Sequence, residues 1–313
     1  VAAPSQAAAK PSGLTKVTAA YTTLTSASSV PWISKGAGYF QQQGLDVDLQ
    51  FLSPATATQG ILAGQLDLST GSPGNVATAD AQGADIVIVG ASYEGPIFAI
   101  VARPDIKTLQ DLKGKKISAT QRGATSDLLV REILKNEGLT GDSVTIVYIP
   151  ETTAQVAALQ TGAVDAAILG EPTTSIAVSQ GGHIIWDPNA QTKDSATGSV
   201  SMSTLMVKRP WLASHRDTVK AFLRANIQAA KLMKTDPATA AKYTAPYLKI
   251  DDQKVLQSGV EAIAKITPDD MSFTMAGMQS ILDTTATTAP EVAKLKPQDI
   301  IDLSLIQEIK AGK

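Results

Sequence analysis

Four short stretches carry residue types that could grip a small molecule. In "TQRGATSDLL" (Thr120 to Leu129) a glycine and small hydroxyl residues run straight into a helical pattern. Free backbone N–H groups at such a helix start can face an anion, with Gln121 and Arg122 beside them and Thr125 and Ser126 as hydroxyl donors. The alternative is that Thr125 or Ser126 only caps the helix and Arg122 is a solvated cation. "GEPTT" (Gly170 to Thr174) supplies the opposite chemistry. A carboxylate at Glu171 prefers an amine or ring N–H, unless it is merely a surface residue ahead of Pro172. "TTLTSASSVPW" (Thr22 to Trp32) offers Thr25, Ser26, Ser28 and Trp32, and "STGSPGN" offers Ser72 and Asn75. Tyr21, Trp32 and Tyr93 could stack on an apolar part of a ligand or simply be core.

These parts bind; they do not obviously react. The chain has no cysteine, and its two histidines, His183 and His215, lie outside the four stretches. Thiolate chemistry is excluded, and a multi-histidine metal site is not expected, so no metal, cofactor or catalytic residue is assigned. "GASYEG" and "GATSDLL" form no nucleophile motif. A net charge of −2 gives no reason to expect nucleic acid as a partner. No apolar run approaches the roughly 18 residues of a membrane span. The first fifteen residues, opening "VAAPSQAAAKPSG", have no apolar periodicity and read as a flexible leader. It is either an appended remnant or the tether that follows a removed export signal, with a lipidated residue ahead of it.

The elements that must position the four stretches alternate β-type and helical runs from Lys16 onwards. "KVTAAY", "DVDLQFL", "LDLSTG" and "DIVIVGAS" are strand candidates separated by helices, which predicts a parallel sheet with helices on both faces. One of those helices is predicted over "VPWISKGAGYFQQQG", closing at Gly44. A second series follows: "KISAT", the amphipathic "SDLLVREILKNEG", "VTIVYIP", "TTAQVAALQTG" and "VDAAILG". One phrase occurs in both series. "LAGQLDLSTGSP" and "LQTGAVDAAILGEP" share a Leu-x-x-Gly-x-hydrophobic-Asp core ending at Asp67 and Asp165. A helix that ends on glycine and turns into a strand explains each copy locally; the repetition predicts two similar α/β lobes. The final third, from Trp211, reads as helical and is expected to brace lobe one. Ser214 and Asp217 have capping-box spacing there, and Asp236 precedes Pro237 as an N-cap.

"GAGYFQQQGLDVDL", the two Gly-x-hydrophobic-Asp turns, "DLKGKKI" and "DIIDLSLIQEI" occur in the order seen in the nitrate/sulfonate/taurine solute-binding proteins of ABC transporters, a group that also includes binders of thiamine-precursor pyrimidines. The chain resembles that family over nearly all its length after Lys16. The resemblance implies a type II periplasmic-binding-protein fold: two α/β lobes, a hinge crossed twice, and a ligand cleft. Lobe one is expected over residues 16–101 and 206–313, lobe two over 102–205. It also implies capture of a small polar or anionic organic solute, sulfonate-, taurine- or nitrate-like, by a monomer that closes on it and delivers it to an importer permease. The expected location is periplasmic or extracytoplasmic, with a lipid anchor as an option. A heterocycle (a thiamine-precursor pyrimidine or a flavin) or an aromatic acid is the alternative ligand, and a solute sensor docking on a signalling partner is the alternative role. Enzymes of related architecture would be expected to need cysteine or histidine where this chain has none.

Overall fold

A computed structural model of the chain describes residues 13–95, 97–120, 122, 125–139, 143–187, 202–287 and 289–312. Residues 1–12 of the expected leader and Gln121 lie outside them, and Thr15 already belongs to the first strand. Among the described residues ten strands occur in the order β1 (Thr15–Tyr21), β2 (Leu45–Phe51), β3 (Leu68–Gly71), β4 (Ile86–Glu94), β5 (Phe98–Ala102), β6 (Lys116–Ala119), β7 (Thr145–Tyr148), β8 (Ala166–Gly170), β9 (His183–Trp186) and β10 (Met202–Lys208). They form two five-stranded sheets, β2-β1-β3-β10-β4 and β7-β6-β8-β5-β9. Each sheet is the centre of one lobe.

The sheets are mixed where the strand–helix alternation predicted parallel ones. β1, β2 and β3 are parallel, as are β6, β7 and β8, but β10 and β5 run antiparallel to both of their neighbours. The reason is the crossing. β5 and β10 are the strands that the chain lays down directly after passing from one lobe to the other, so they enter from the opposite end. The ladders also move the expected boundaries. Phe98–Val101 pair with β8 and β9 in lobe two, and Met202–Leu205 pair with β3 and β4 in lobe one.

Apolar packing covers both faces of each sheet. In β4, Val87 and Val89 face one cluster of lobe one while Ile86 and Ile88 face the other, which is why this strand reads as a continuous apolar run. The helical tail builds much of that cover. Ala91 N–H donates to Met271 O (2.8 Å), Asp302 N–H to Ile88 O (2.8 Å), and Glu308 accepts from Arg216 (2.6 Å). Asp236 caps its helix by accepting from Thr239 N–H at 3.0 Å. The capping box at Ser214 does not form: its hydroxyl turns back to Trp211 O (3.1 Å), and the helix Arg216–Thr235 starts without a side-chain cap. The helix predicted over Val30–Gly44 is two pieces, Ser29–Gly36 and Tyr39–Gln42. Among the described residues no helix is long and apolar enough to cross a membrane.

The repeated phrase is the same device in both lobes. Gly64 (φ 71°) and Gly162 (φ 74°) take the left-handed conformation that ends each helix. Asp67 N–H then donates to Thr18 O (2.9 Å) while its carboxylate accepts from Thr18 N–H (2.8 Å). In lobe two Asp165 N–H donates to Lys116 O (2.8 Å) and its carboxylate accepts from Lys116 N–H (2.9 Å). Each aspartate lengthens a parallel ladder by one residue and pins its register. The two sites differ in exposure: Thr18 is half-buried and Lys116 exposed. Asp67→Ala should therefore cost about 1–3 kcal/mol of stability in urea unfolding, the penalty for an amide left without its acceptor. Asp165→Ala should cost less, because water reaches Lys116 N–H.

Candidate functional site

In parallel sheets, ligands collect beyond the carboxyl ends of the strands. Here those ends carry the loops after β1, β3, β6 and β8, and two of them touch across the lobes. Ser26 N–H in the loop after β1 donates to Glu171 O in the loop after β8, at 3.1 Å. A third wall comes from the tail. The helix Gln253–Ile266 packs on lobe one yet also contacts the lobe-two helix Thr173–Ser179, so the tail does more than brace lobe one. At Gly259 a Cβ would stand 2.3 Å from Ser26 Oγ and 3.7 Å from Glu171 Cβ. An isolated glycine in a helix costs about 1 kcal/mol against alanine; at this position it admits Ser26. Beside this junction a cleft of about 260 Å³ runs between that helix and lobe two, with Phe98, Glu171, Ser258, Glu261 and Ile266 on its walls.

The loop after β1 and the helix Ser29–Gly36 that follows it have unspent hydrogen-bonding capacity. Ser26, Ser29 and Trp32 are buried, and Ser26 Oγ, Ser29 Oγ and Trp32 Nε1 have no partner. Buried polar atoms are nearly always satisfied, yet three without a partner fall on one seven-residue segment, whose first residue, Ser26, makes the contact between the lobes. Indole Nε1 can only donate. Its missing partner is an acceptor.

The other expected residues fall into distinct groups. Ser28 Oγ donates to Thr23 O (2.9 Å), and Thr25, half-buried, stands next to Thr23 with 3.4 Å between hydroxyls. Both shape the loop. Ser72 accepts from Gly74 N–H (3.3 Å) as a helix cap, and Asn75 is half-buried in the first turn behind it. Tyr93 is buried in the core of lobe one. Tyr21 ends β1 with its ring 5.3 Å from Trp32, edge to face. Trp32 does not offer a bare face: Tyr247 stacks on it at 4.8 Å and 5°.

In the loop after β6, Arg122 is exposed. Ser126 is buried, and its hydroxyl accepts from Thr120 N–H (3.1 Å) and is hydrogen-bonded to Thr120 Oγ1 (2.7 Å). Thr125 begins the helix Thr125–Asn136. The first turn of that helix also carries Asp127, buried and held by Arg131 Nε (2.9 Å) and the Tyr148 hydroxyl (3.0 Å). The structure thus brings Ser26 and Glu171 together at the lobe junction, leaves Trp32 buried against Tyr21 and Tyr247 in lobe one, and commits the Ser126 hydroxyl within its own loop. Ser29, Tyr247 and Gly259 were not anticipated. Ser29 lay inside the quoted hydroxyl run, and a lone glycine within a helix is a recognised sign of close approach; Tyr247 had no such signal.

Burial pushes the Glu171 carboxyl above the usual range, against hydrogen bonding from Ser175 that favours the charged form. Ser175 N–H donates to it at 3.3 Å. Among the described residues no group of three or more His, Asp or Glu could hold a metal ion.

The sequence profile described as NMT1/THI5 like matches residues 32–240. The chain belongs to the NMT1/THI5-like family. A protein of Escherichia coli (strain K12) named for binding aliphatic sulfonates is 34% identical over 139 residues, 43% of this chain and 42% of that one. The fold is shared with two solved structures. The periplasmic aliphatic sulphonate binding protein SsuA from Escherichia coli superposes with a TM-score of 0.74 at 20% identity, covering 93% of this chain and 99% of that one. The periplasmic nitrate-binding protein NrtA from Synechocystis PCC 6803 gives 0.71 at 16% identity, covering 96% and 89%. The two-lobed periplasmic-binding-protein architecture expected from the sequence is the one this family member adopts.

The raised Glu171 pKa has a stability consequence with a definite sign. A carboxyl whose folded pKa lies above its unfolded one binds its proton more tightly when folded, so stability falls as pH rises through the window between the two values. Glu171→Gln should therefore stabilise the ligand-free protein at pH 7 in thermal unfolding. The advantage should shrink to nothing below about pH 4, under the unfolded carboxylate value.

Proposed function

We propose that this protein captures a small organic anion of the sulfonate type between its lobes and delivers it to an ABC importer. The observation that carries the reading is the set of unpartnered buried groups on Ser26, Ser29 and Trp32, a segment whose Ser26 also makes the backbone contact between the lobes. A sulfonate presents several acceptor oxygens on one centre, which suits a donor-only indole N–H flanked by two hydroxyls. Arg122 adds a positive charge from lobe two. Glu171 opposes an anion less than its type suggests, because burial pushes its carboxyl above the usual range. The names of the sulfonate- and nitrate-binding relatives agree with this ligand class. Capture and release need no catalytic group, and the reading assigns none. The loops after β1 and β8 already meet, and closure of the lobes would bring the loop after β6, with Arg122, onto the same ligand.

Titration calorimetry with methanesulfonate checks the reading. The wild-type protein should bind it. Trp32→Phe and Ser29→Ala should each weaken binding, the indole change by about 1.5–3 kcal/mol as expected for a hydrogen bond to a charged group. Unchanged affinity in both variants, or chemical turnover of the bound anion, would count against the proposal.

A further inference from the structure

The helix Gln253–Ile266 is anchored to lobe one along its length. Leu256, Val260 and Ile263 lie on one of its faces and are buried in the lobe-one core. Asp252 caps its start, accepting from Lys254 N–H (2.9 Å) and Val255 N–H (3.3 Å). Its last residue, Ile266, packs on Gly95, which follows β4 at the first crossing: a Cβ on Gly95 would stand 3.1 Å from Ile266 Cγ2. Just ahead of that glycine, Glu94 accepts from Thr274 N–H in the tail (2.9 Å). Core, cap and crossing hold the helix in place.

The residue it holds down is Ser26. Ser26 is 1% exposed, its hydroxyl has no partner, and its N–H makes the contact to Glu171 O in lobe two. The turn Ser26–Ser28 has no side-chain cap, and its other hydrogen bonds are local, Ser28 Oγ to Thr23 O and Ser28 N–H to Thr25 O. Gly259 is the helix residue that meets it. A Cβ there would stand 2.3 Å from Ser26 Oγ and 3.3 Å from Ser26 Cβ. Turning the hydroxyl aside relieves the first clash only, because packed carbons need about 3.5–4.0 Å. The helix is fixed from three sides, so the turn would give way. Ser26 would then move off with both its hydroxyl and its N–H.

We infer that Gly259 is a positioning residue for capture: its missing side chain fixes Ser26 where the N–H reaches lobe two and the hydroxyl can meet an anion. The inference rests on the anion-capture reading, in which Ser26 is one of the donors. Gly259 acts through Ser26, and the tail helix thereby sets the affinity of a site formed by loops of both lobes. A helix glycine with no neighbour to admit would behave in the opposite way. Alanine is the better helix former, so Gly259→Ala would then stabilise the protein and leave binding unchanged.

The test compares the wild type, Gly259→Ala, Ser26→Gly and the double variant. Amide hydrogen exchange at residue 26 in the ligand-free proteins reads the lobe contact, and calorimetry with methanesulfonate reads capture. Gly259→Ala should speed that exchange and weaken methanesulfonate, each by about tenfold, the size of one lost hydrogen bond. Ser26→Gly removes the side chain that meets the new Cβ, so adding Gly259→Ala to it should change neither readout. Should Gly259→Ala alone fail to fold, the double variant must recover the native far-ultraviolet circular dichroism; if it does not, the inference is overturned. Losses of equal size in both Ser26 backgrounds, or a Gly259→Ala protein that binds like the wild type, also overturn it while capture by the wild type stands. If the wild type itself binds no methanesulfonate, the capture reading falls and the positioning role falls with it.

Discussion

Each lobe depends on a carboxylate that extends a parallel ladder beyond its last strand pair. Asp67 closes on Thr18 and Asp165 on Lys116 through the same two hydrogen bonds. The side chain substitutes for a backbone carbonyl, so a strand of only four or five residues acquires a fixed register against its neighbour. A shift of one residue would turn each side chain to the opposite face, and with it the direction in which the following loop leaves the sheet. The loops after β1, β3, β6 and β8 project from defined edges because these ladders are pinned. The antiparallel strands β5 and β10 then tie each sheet to the crossing that feeds it.

Pinned edges explain how a polar deficit can be stored at the junction. Ser26 meets Glu171 across the lobes through backbone atoms, under a helix whose Gly259 leaves room for its side chain. The backbone contact satisfies the chain, while the side chains of Ser26, Ser29 and Trp32 stay unanswered. Leaving buried groups unpaired is costly, and the proposed ligand would return that cost by supplying acceptors. Glu171 adds to the same account: its charged form is disfavoured by burial in the ligand-free protein.

Much of this organisation was legible in the sequence because it is local. The glycine-terminated helices, the aspartates behind them and the hydroxyl-rich loop all follow from short-range patterns, and the ordered phrases carried the family resemblance. What could not be read depends on contacts between distant segments. No local signal distinguishes β5 and β10 from parallel strands, since direction is set by where the chain crosses. Ser126 carries the same hydroxyl whether it faces a ligand or turns back to Thr120. Trp32 was open as a ligand platform or a core residue, and the partner that covers it, Tyr247, lies in a tail helix whose pattern shows only helix.

The central claim is that one ligand touches both lobes at once, through the loop after β1 and the loop after β8. Amide hydrogen exchange with and without saturating methanesulfonate tests it directly. The account predicts slower exchange in the ligand-bound protein at Ser26–Trp32 in lobe one and, in the same experiment, at Glu171 and Thr173–Ser175 in lobe two. Protection confined to one lobe, or protection elsewhere with both segments unchanged, would contradict it.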